Sequence, residues 1–174
     1  MFTKGCELNN EMILLRILHI GFGVFWSGSA ILMTFVIEPR LRTLGPELHR
    51  KVMGHLGQVT GPILGTSGLI TILSGIAMSL RLRWGNLDSW FDTGWGWAIT
   101  IGFVVSVIAL IVGIMTGGVA KQIGVINATI RDRVPTDEEL DQMGKMARQL
   151  QILARAATVL IIVGVGTMAA ARFV

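Results

Sequence analysis

The chain carries very little charge for its length. Only 15% of its 174 residues are Asp, Glu, Lys or Arg, whereas 52% are hydrophobic and the mean hydropathy is +0.65. A soluble domain has about 25% charged residues, so this composition excludes an ordinary water-soluble globule. At about 20 residues per membrane-spanning helix, there is room for about four such helices and for no separate soluble catalytic domain. We therefore expect a single membrane domain over residues 1–174.

Cysteine and recognisable catalytic motifs are also scarce. The single cysteine, Cys6, excludes an internal disulfide and a thiolate metal cluster. The sequence contains no P-loop, no GxSxG, no HExxH and no carboxylate pair inside an apolar segment. The net charge of +4 fits basic loops at a lipid surface, and we expect the lipid bilayer rather than nucleic acid as the partner.

Four apolar segments predict an all-α fold, an antiparallel four-helix integral membrane bundle. The predicted spans cover about residues 12–37, 58–81, 94–120 and 150–172. The first is expected to end at Glu38-Pro39-Arg40. Pro46 in a first helical turn and the capping-box pattern Thr136–Glu139 predict that helices 2, 3 and 4 extend beyond the membrane on the cytoplasmic side. The last two helices then form a projecting hairpin.

Basic residues predict the orientation. Of the 15 Lys and Arg residues, ten lie in the two loops that join spans one to two and three to four, and five lie on the other side. The positive-inside rule then places both termini outside and both long loops in the cytoplasm. Four tryptophans near the short outer loop are typical of an aromatic belt: Trp84, Trp90, Trp95 and Trp97.

His19 is the sharpest candidate for chemistry, because an ionisable residue inside a span is costly. It lies about 10 Å inside the start of the first span. Gly23 and Trp26 follow it at helical spacing, together with Phe22 and Ser27. This face could accept a flat macrocycle, with one imidazole nitrogen on the metal and the other ring N–H on a carbonyl or hydroxyl. The alternative is a histidine bonded to a Ser or Thr of a neighbouring helix.

Other residues could complete a haem site. Gly68 and Gly102 fall at depths similar to that of Gly23 and could leave room for a porphyrin, but close helix packing is the preferred interpretation of these glycines. Arg16 and Arg155 are the predicted partners of the haem propionates.

The second ligand is harder to assign. If the first two helices fold back on each other, position 19 lies level with about position 66. His55 is then roughly 16 Å away along the axis and cannot share one iron with His19, although it could serve a separate metal. Met168 is the nearest candidate for a sixth ligand. The pair Met143 and Met146, among nine methionines, keeps Cu(I) open as an alternative.

Residues 15–80 resemble the copper-resistance-D-like superfamily of small bacterial membrane proteins. The resemblance is carried by Leu18-His19, Trp26-Ser27-Gly28, Glu38-Pro39-Arg40-Leu41-Arg42 and the glycine-bearing second span. It implies a four-helix, multi-pass unit in the bacterial inner membrane, with a metal or haem role for the histidine of the first span. Larger members of the family are associated with copper uptake or tolerance.

Three hypotheses of function follow. The first is a b-type haem protein of membrane electron transfer, which forms a homo-oligomer and exchanges electrons with a partner protein. The second is a copper transport or copper-resistance protein. The third is a non-catalytic subunit of a larger membrane complex.

Overall fold

The structure is a computed structural model that describes residues 2–83, 88–130 and 135–174. All regular secondary structure in those ranges is helical. The α-helices are α1 (Phe2–Leu32), α2 (Glu38–Thr43), α3 (Pro46–Leu82), α4 (Gly94–Thr129) and α5 (Asp137–Ala170). A π turn (Met33–Ile37) joins α1 to α2, and short 3₁₀ turns occupy Trp90–Asp92 and Ala171–Phe173. Trp84, Arg131 and Arg133, which entered the predictions of the aromatic belt and the topology, lie outside the described residues.

Four helical stretches are long and apolar enough to cross a membrane, as the sequence predicts. They are Asn10–Thr43, Glu47–Leu82, Gly94–Thr129 and Asp137–Phe173. Many large apolar side chains on them face outward, Val24 at 66% exposure and Ile114 at 64% among them. Such faces suit a hydrocarbon solvent.

The predicted helix break at Glu38-Pro39-Arg40 is wrong. The chain remains helical to Thr43 and turns only at Leu44 and Gly45. Proline lacks the N–H that would bond the carbonyl four residues earlier, and here a π turn directly precedes Pro39. The Glu38 N–H bonds to the carbonyl of Met33, five residues back. The wider turn lets the helix accommodate the proline without ending.

The helix starts follow local signals in the sequence. Gly45 has φ 98°, a conformation that favours glycine, and Pro46 occupies the first turn of α3. The predicted capping box at the start of α5 is confirmed, with the Thr136 and Glu139 side chains each bonded to the other residue's backbone N–H. Helices α3, α4 and α5 therefore all extend past their apolar segments.

The helices pack mainly as two pairs, α1 with α3 and α4 with α5, which meet through α3 and α4. A buried cluster of Trp26, Ile72, Ala109 and Ile161 joins all four. The Thr34 and Thr158 hydroxyls form a buried hydrogen bond of 2.8 Å that links the π turn to α5. Between α1 and α3, Gly75 faces His19 and Gly68 faces Trp26. Between α4 and α5, Gly102 faces Met168 and Gly164 faces Ser106.

The described tryptophans of the predicted belt cluster at the start of α4. The Trp90 and Trp95 rings lie 5.2 Å apart, and the Arg83 guanidinium lies 5.0 Å from the Trp95 ring centroid. The Trp90 indole N–H donates to the Thr100 hydroxyl at 3.0 Å, and that of Trp97 donates to the Phe91 carbonyl at 3.0 Å. These contacts fix the connection into α4.

Candidate functional site

His19 is held by a hydrogen bond to the backbone of the neighbouring helix. Its Nδ1 lies 2.8 Å from the carbonyl oxygen of Thr71 on α3. A carbonyl only accepts, so Nδ1 carries the proton and donates. In the neutral ring the lone pair is then on Nε2, which has no hydrogen-bond partner among the described residues. Metal-ligating histidines almost always donate their other ring N–H in this manner.

Gly75 provides the surface on which the imidazole rests. A methyl group built on Gly75 would lie 2.8 Å from Cε1 and 3.0 Å from Nδ1 of His19, but 3.8 Å from Nε2. The inner edge of the ring therefore packs against α3, and Nε2 lies farther out. Any side chain larger than glycine at position 75 would push the imidazole away from Thr71.

Thr71 and Gly75 are site residues that the sequence reasoning missed. The available signal was a row of small hydroxyl residues in the charge-free second span, with Ser67, Thr71 and Ser74 all buried. Their hydroxyls bond back to carbonyls of their own helix, as Thr71 does to Ser67 at 2.8 Å. This leaves the Thr71 carbonyl, rather than its hydroxyl, as the acceptor for His19.

The three glycines predicted to leave room for a porphyrin face protein atoms. A methyl on Gly23 would lie 3.3 Å from Thr71 Cγ2, and one on Gly68 would lie 2.8 Å from the Trp26 indole. A methyl on Gly102 would lie 2.9 Å from Met168 Cγ. These faces serve close helix packing, which was the preferred interpretation. His19 fits a haem as an axial donor, but these glycine faces offer no interior groove for the macrocycle.

The other predicted metal ligands are not brought to His19. His19 lies level with residues 71–75 of α3, not with position 66, so His55 is roughly 24–30 Å away along the helix axis at about 1.5 Å per residue. Met168 lies at a depth similar to that of His19, but its side chain packs on Gly102 in the other helix pair.

The two predicted propionate partners lie at different depths. Arg16 precedes His19 by three residues, is exposed, and makes no ion pair with the described residues. Arg155 is 13 residues before Met168 in sequence, or roughly 20 Å along α5. Only Arg16 therefore lies on the side of the bundle where His19 is found.

The glycine stripe of the second span and the methionine pair both lie away from His19. Gly57, Gly61 and Gly65 form a GxxxG stripe on α3. No atom of the described residues outside the local helix lies within 4 Å of a Cβ built on them, so none of those residues packs on the stripe. Met146 of the methionine pair lines a cleft between α4 and α5. Among the described residues, no group of three or more His, Cys, Asp and Glu side chains is placed to hold a metal ion.

Comparison with known proteins gave no relative. No protein-family model matches the chain, and neither the curated proteins nor the solved structures contain a match. The resemblance to the copper-resistance-D-like superfamily therefore stays a prediction from the residues themselves.

Proposed function

We propose that this chain is a membrane-embedded b-type haem protein of electron transfer, with Nε2 of His19 as an axial iron ligand. The observation that carries the proposal is the 2.8 Å hydrogen bond from His19 Nδ1–H to the Thr71 carbonyl. That bond fixes the ring orientation and the tautomer, and it leaves the lone pair of Nε2 for a metal. A bound haem would supply reversible one-electron transfer.

The setting of the proposal is an antiparallel four-helix bundle in the bacterial inner membrane with both termini outside. The accessible surface of the chain is 11711 Å², against roughly 8,300 Å² expected for a compact soluble monomer of 18.9 kDa. Many of the exposed residues on the long helices are large and apolar, and lipid or a second copy would cover them. Homo-oligomerisation is part of the proposal for that reason.

The filled glycine faces limit where the group can bind. Because Trp26 and Met168 already occupy the faces of Gly68 and Gly102, the macrocycle would lie outside the packed interior, beside the open edge of His19. Arg16, one helical turn from His19, would then be the guanidinium available to a propionate. Arg155 has no part in this site.

The test is the absorbance spectrum of the full chain purified from cells supplied with haem. We expect a Soret band in the wild-type protein and its loss in His19→Ala. His55→Ala is the matched control, since it removes an exposed histidine of α3 far from His19, and it should leave the band unchanged. A pyridine haemochrome assay should identify haem b.

Two results would overturn the haem proposal. One is a wild-type preparation with no Soret band, and the other is a band that His19→Ala leaves intact. Copper measured on the same preparation, one ion bound per chain and sensitive to Met143→Leu, would favour the copper alternative. A colourless, metal-free protein that purifies with a stoichiometric partner would favour the non-catalytic subunit.

A further inference from the structure

A cleft between the last two helices lies far from His19 and has no part in the proposed haem site. Its volume is about 390 Å³. The lining residues are Lys121, Gln122, Val125 and Ile126 of α4 and Gln142 and Met146 of α5.

The polar side chains of the cleft are one lysine and two glutamines. Lys121, Gln122 and Gln142 make no hydrogen bond or ion pair with any residue the structure describes. None of the described residues that line the cleft is Asp or Glu. The side chains at this cleft therefore include one ammonium group and two amide groups. This donor set suits an anion, and phosphate oxygens accept hydrogen bonds from lysine and amide groups alike.

The remaining walls are apolar and include Ile126, Met146 and Val125, the last with 60% of its side chain exposed. A free inorganic anion gains nothing from such walls. A ligand that carries an anionic group next to hydrocarbon buries apolar surface against them while its charge meets Lys121. The lining therefore matches an amphiphile.

The position of the cleft along the helices also suits an amphiphile. Lys121 is the first charged residue after the charge-free segment 93–120, so it marks where α4 leaves the hydrocarbon. The α4 residues of the cleft span positions 121–126, or roughly 8 Å along the helix, comparable to the roughly 5–8 Å thickness of one headgroup layer.

We propose that this cleft binds the phosphate diester headgroup of an anionic phospholipid in the leaflet next to Lys121. The proposal rests on insertion of the four helices in a membrane, and it is independent of haem. Lys121 pairs with the phosphate, Gln122 and Gln142 donate to its oxygens or to the glycerol, and the apolar walls contact the start of the acyl chains.

The experiment measures lipid retained by the full chain with native mass spectrometry, after release from nanodiscs of equal phosphatidylglycerol and phosphatidylcholine. We expect the wild type to retain phosphatidylglycerol preferentially. Lys121→Gln should weaken that retention about fivefold, the effect of one basic residue at an anionic surface. Gln142→Met, which keeps the side-chain volume, should weaken it less.

Arg148→Gln is the matched control. Arg148 lies on α5 next to the cleft in sequence, carries the same charge, and is exposed but absent from the lining. It should keep the wild-type preference. If Lys121→Gln and Arg148→Gln weaken phosphatidylglycerol retention equally, the retention depends on general surface charge, and the proposed site is overturned. Competition by millimolar inorganic phosphate would identify a soluble anion instead. If a co-purifying protein binds at Lys121 and displaces the lipid, the cleft is a protein interface, and the proposal is also overturned.

Discussion

At the scale of residues, Gly75 controls the position of His19. A methyl group at position 75 would lie 2.8 Å from the imidazole Cε1, closer than any real Cβ contact. We expect Gly75→Ala to displace the ring, break the bond to Thr71 and lower the free energy of unfolding by about 1–3 kcal/mol. Thermal unfolding in detergent checks the stability, and the Soret band of the same sample checks the site.

Gly65→Ala is the control on the same helix. Nothing lies within 4 Å of its built Cβ, and alanine is the better helix former by up to about 1 kcal/mol. We expect this variant to be at least as stable as the wild type and to keep its spectrum. Equal destabilisation by both changes would refute the specific contact between Gly75 and His19.

The sequence could identify His19 but not its partners. A lone histidine in an apolar segment is visible without a structure, because few other residues of the spans can ionise. Thr71 and Gly75 depend on the register between two helices, and a loop of uncertain length does not fix that register. The assumed level at position 66 was wrong by five to nine residues, since His19 contacts Thr71 and Gly75. Close helix packing was preferred for Gly68 and Gly102 over room for a porphyrin, but nothing in sequence tells a glycine that faces indole from one that faces a macrocycle.

At the scale of helices, the π turn before Pro39 aims Thr34 inward. Thr34 is buried and bonded to Thr158, whose side chain is only 1% exposed. Thr158 also donates to the Ala154 carbonyl of its own helix at 2.9 Å, so the Thr34 hydroxyl supplies the proton between the two hydroxyls. The link connects the first helix to the last, across 124 positions of the chain.

A double-mutant cycle measures this link. Thr34→Val and Thr158→Val each keep the side-chain shape, and each removes the hydrogen-bond partner of the hydroxyl that remains. We expect a coupling of about 0.6 kcal/mol, and no more than about 1.7 kcal/mol, as for hydrogen bonds between membrane helices. Reversible unfolding in mixed detergent gives the four free energies. Strictly additive losses would mean that the hydroxyls do not interact.

The observed helix boundaries show which local sequence patterns predict where a helix begins or ends. Pro46 and the Thr136–Glu139 capping box gave correct starts, because both act within one turn of backbone. Pro39 suggested an end that does not occur. A proline can be absorbed by a π turn when the flanking helix is held by packing, and Thr34 supplies such packing here.

At the scale of the whole molecule, basic residues lie at two levels whose separation matches a bilayer. The observed helix registers place Arg16 and Arg172 within about one turn, or roughly 5 Å, of the level of Arg81. At the other end, Arg155 and Lys121 lie roughly 26–36 Å below that level by the same registers. The hydrocarbon core is about 30 Å thick. The two levels of charge support insertion across a membrane, and they separate these five basic residues in the same way as the assignment of loops made from the sequence.

The native cysteine makes the proposed topology testable. Cys6 precedes the first span and should be outside, whereas Gly144 lies in the projecting part of α5, exposed with no atom within 4 Å of a built Cβ, and should be cytoplasmic. We expect a membrane-impermeant maleimide to label Cys6 in intact spheroplasts. A Cys6→Ser, Gly144→Cys variant should be labelled only after permeabilisation. The reverse pattern would invert the bundle, and labelling of both sites from outside would mean that the α4–α5 hairpin does not project into the cytoplasm. In either case the lipid site at Lys121 would belong to the outer leaflet, since its position relative to the hydrocarbon is unchanged.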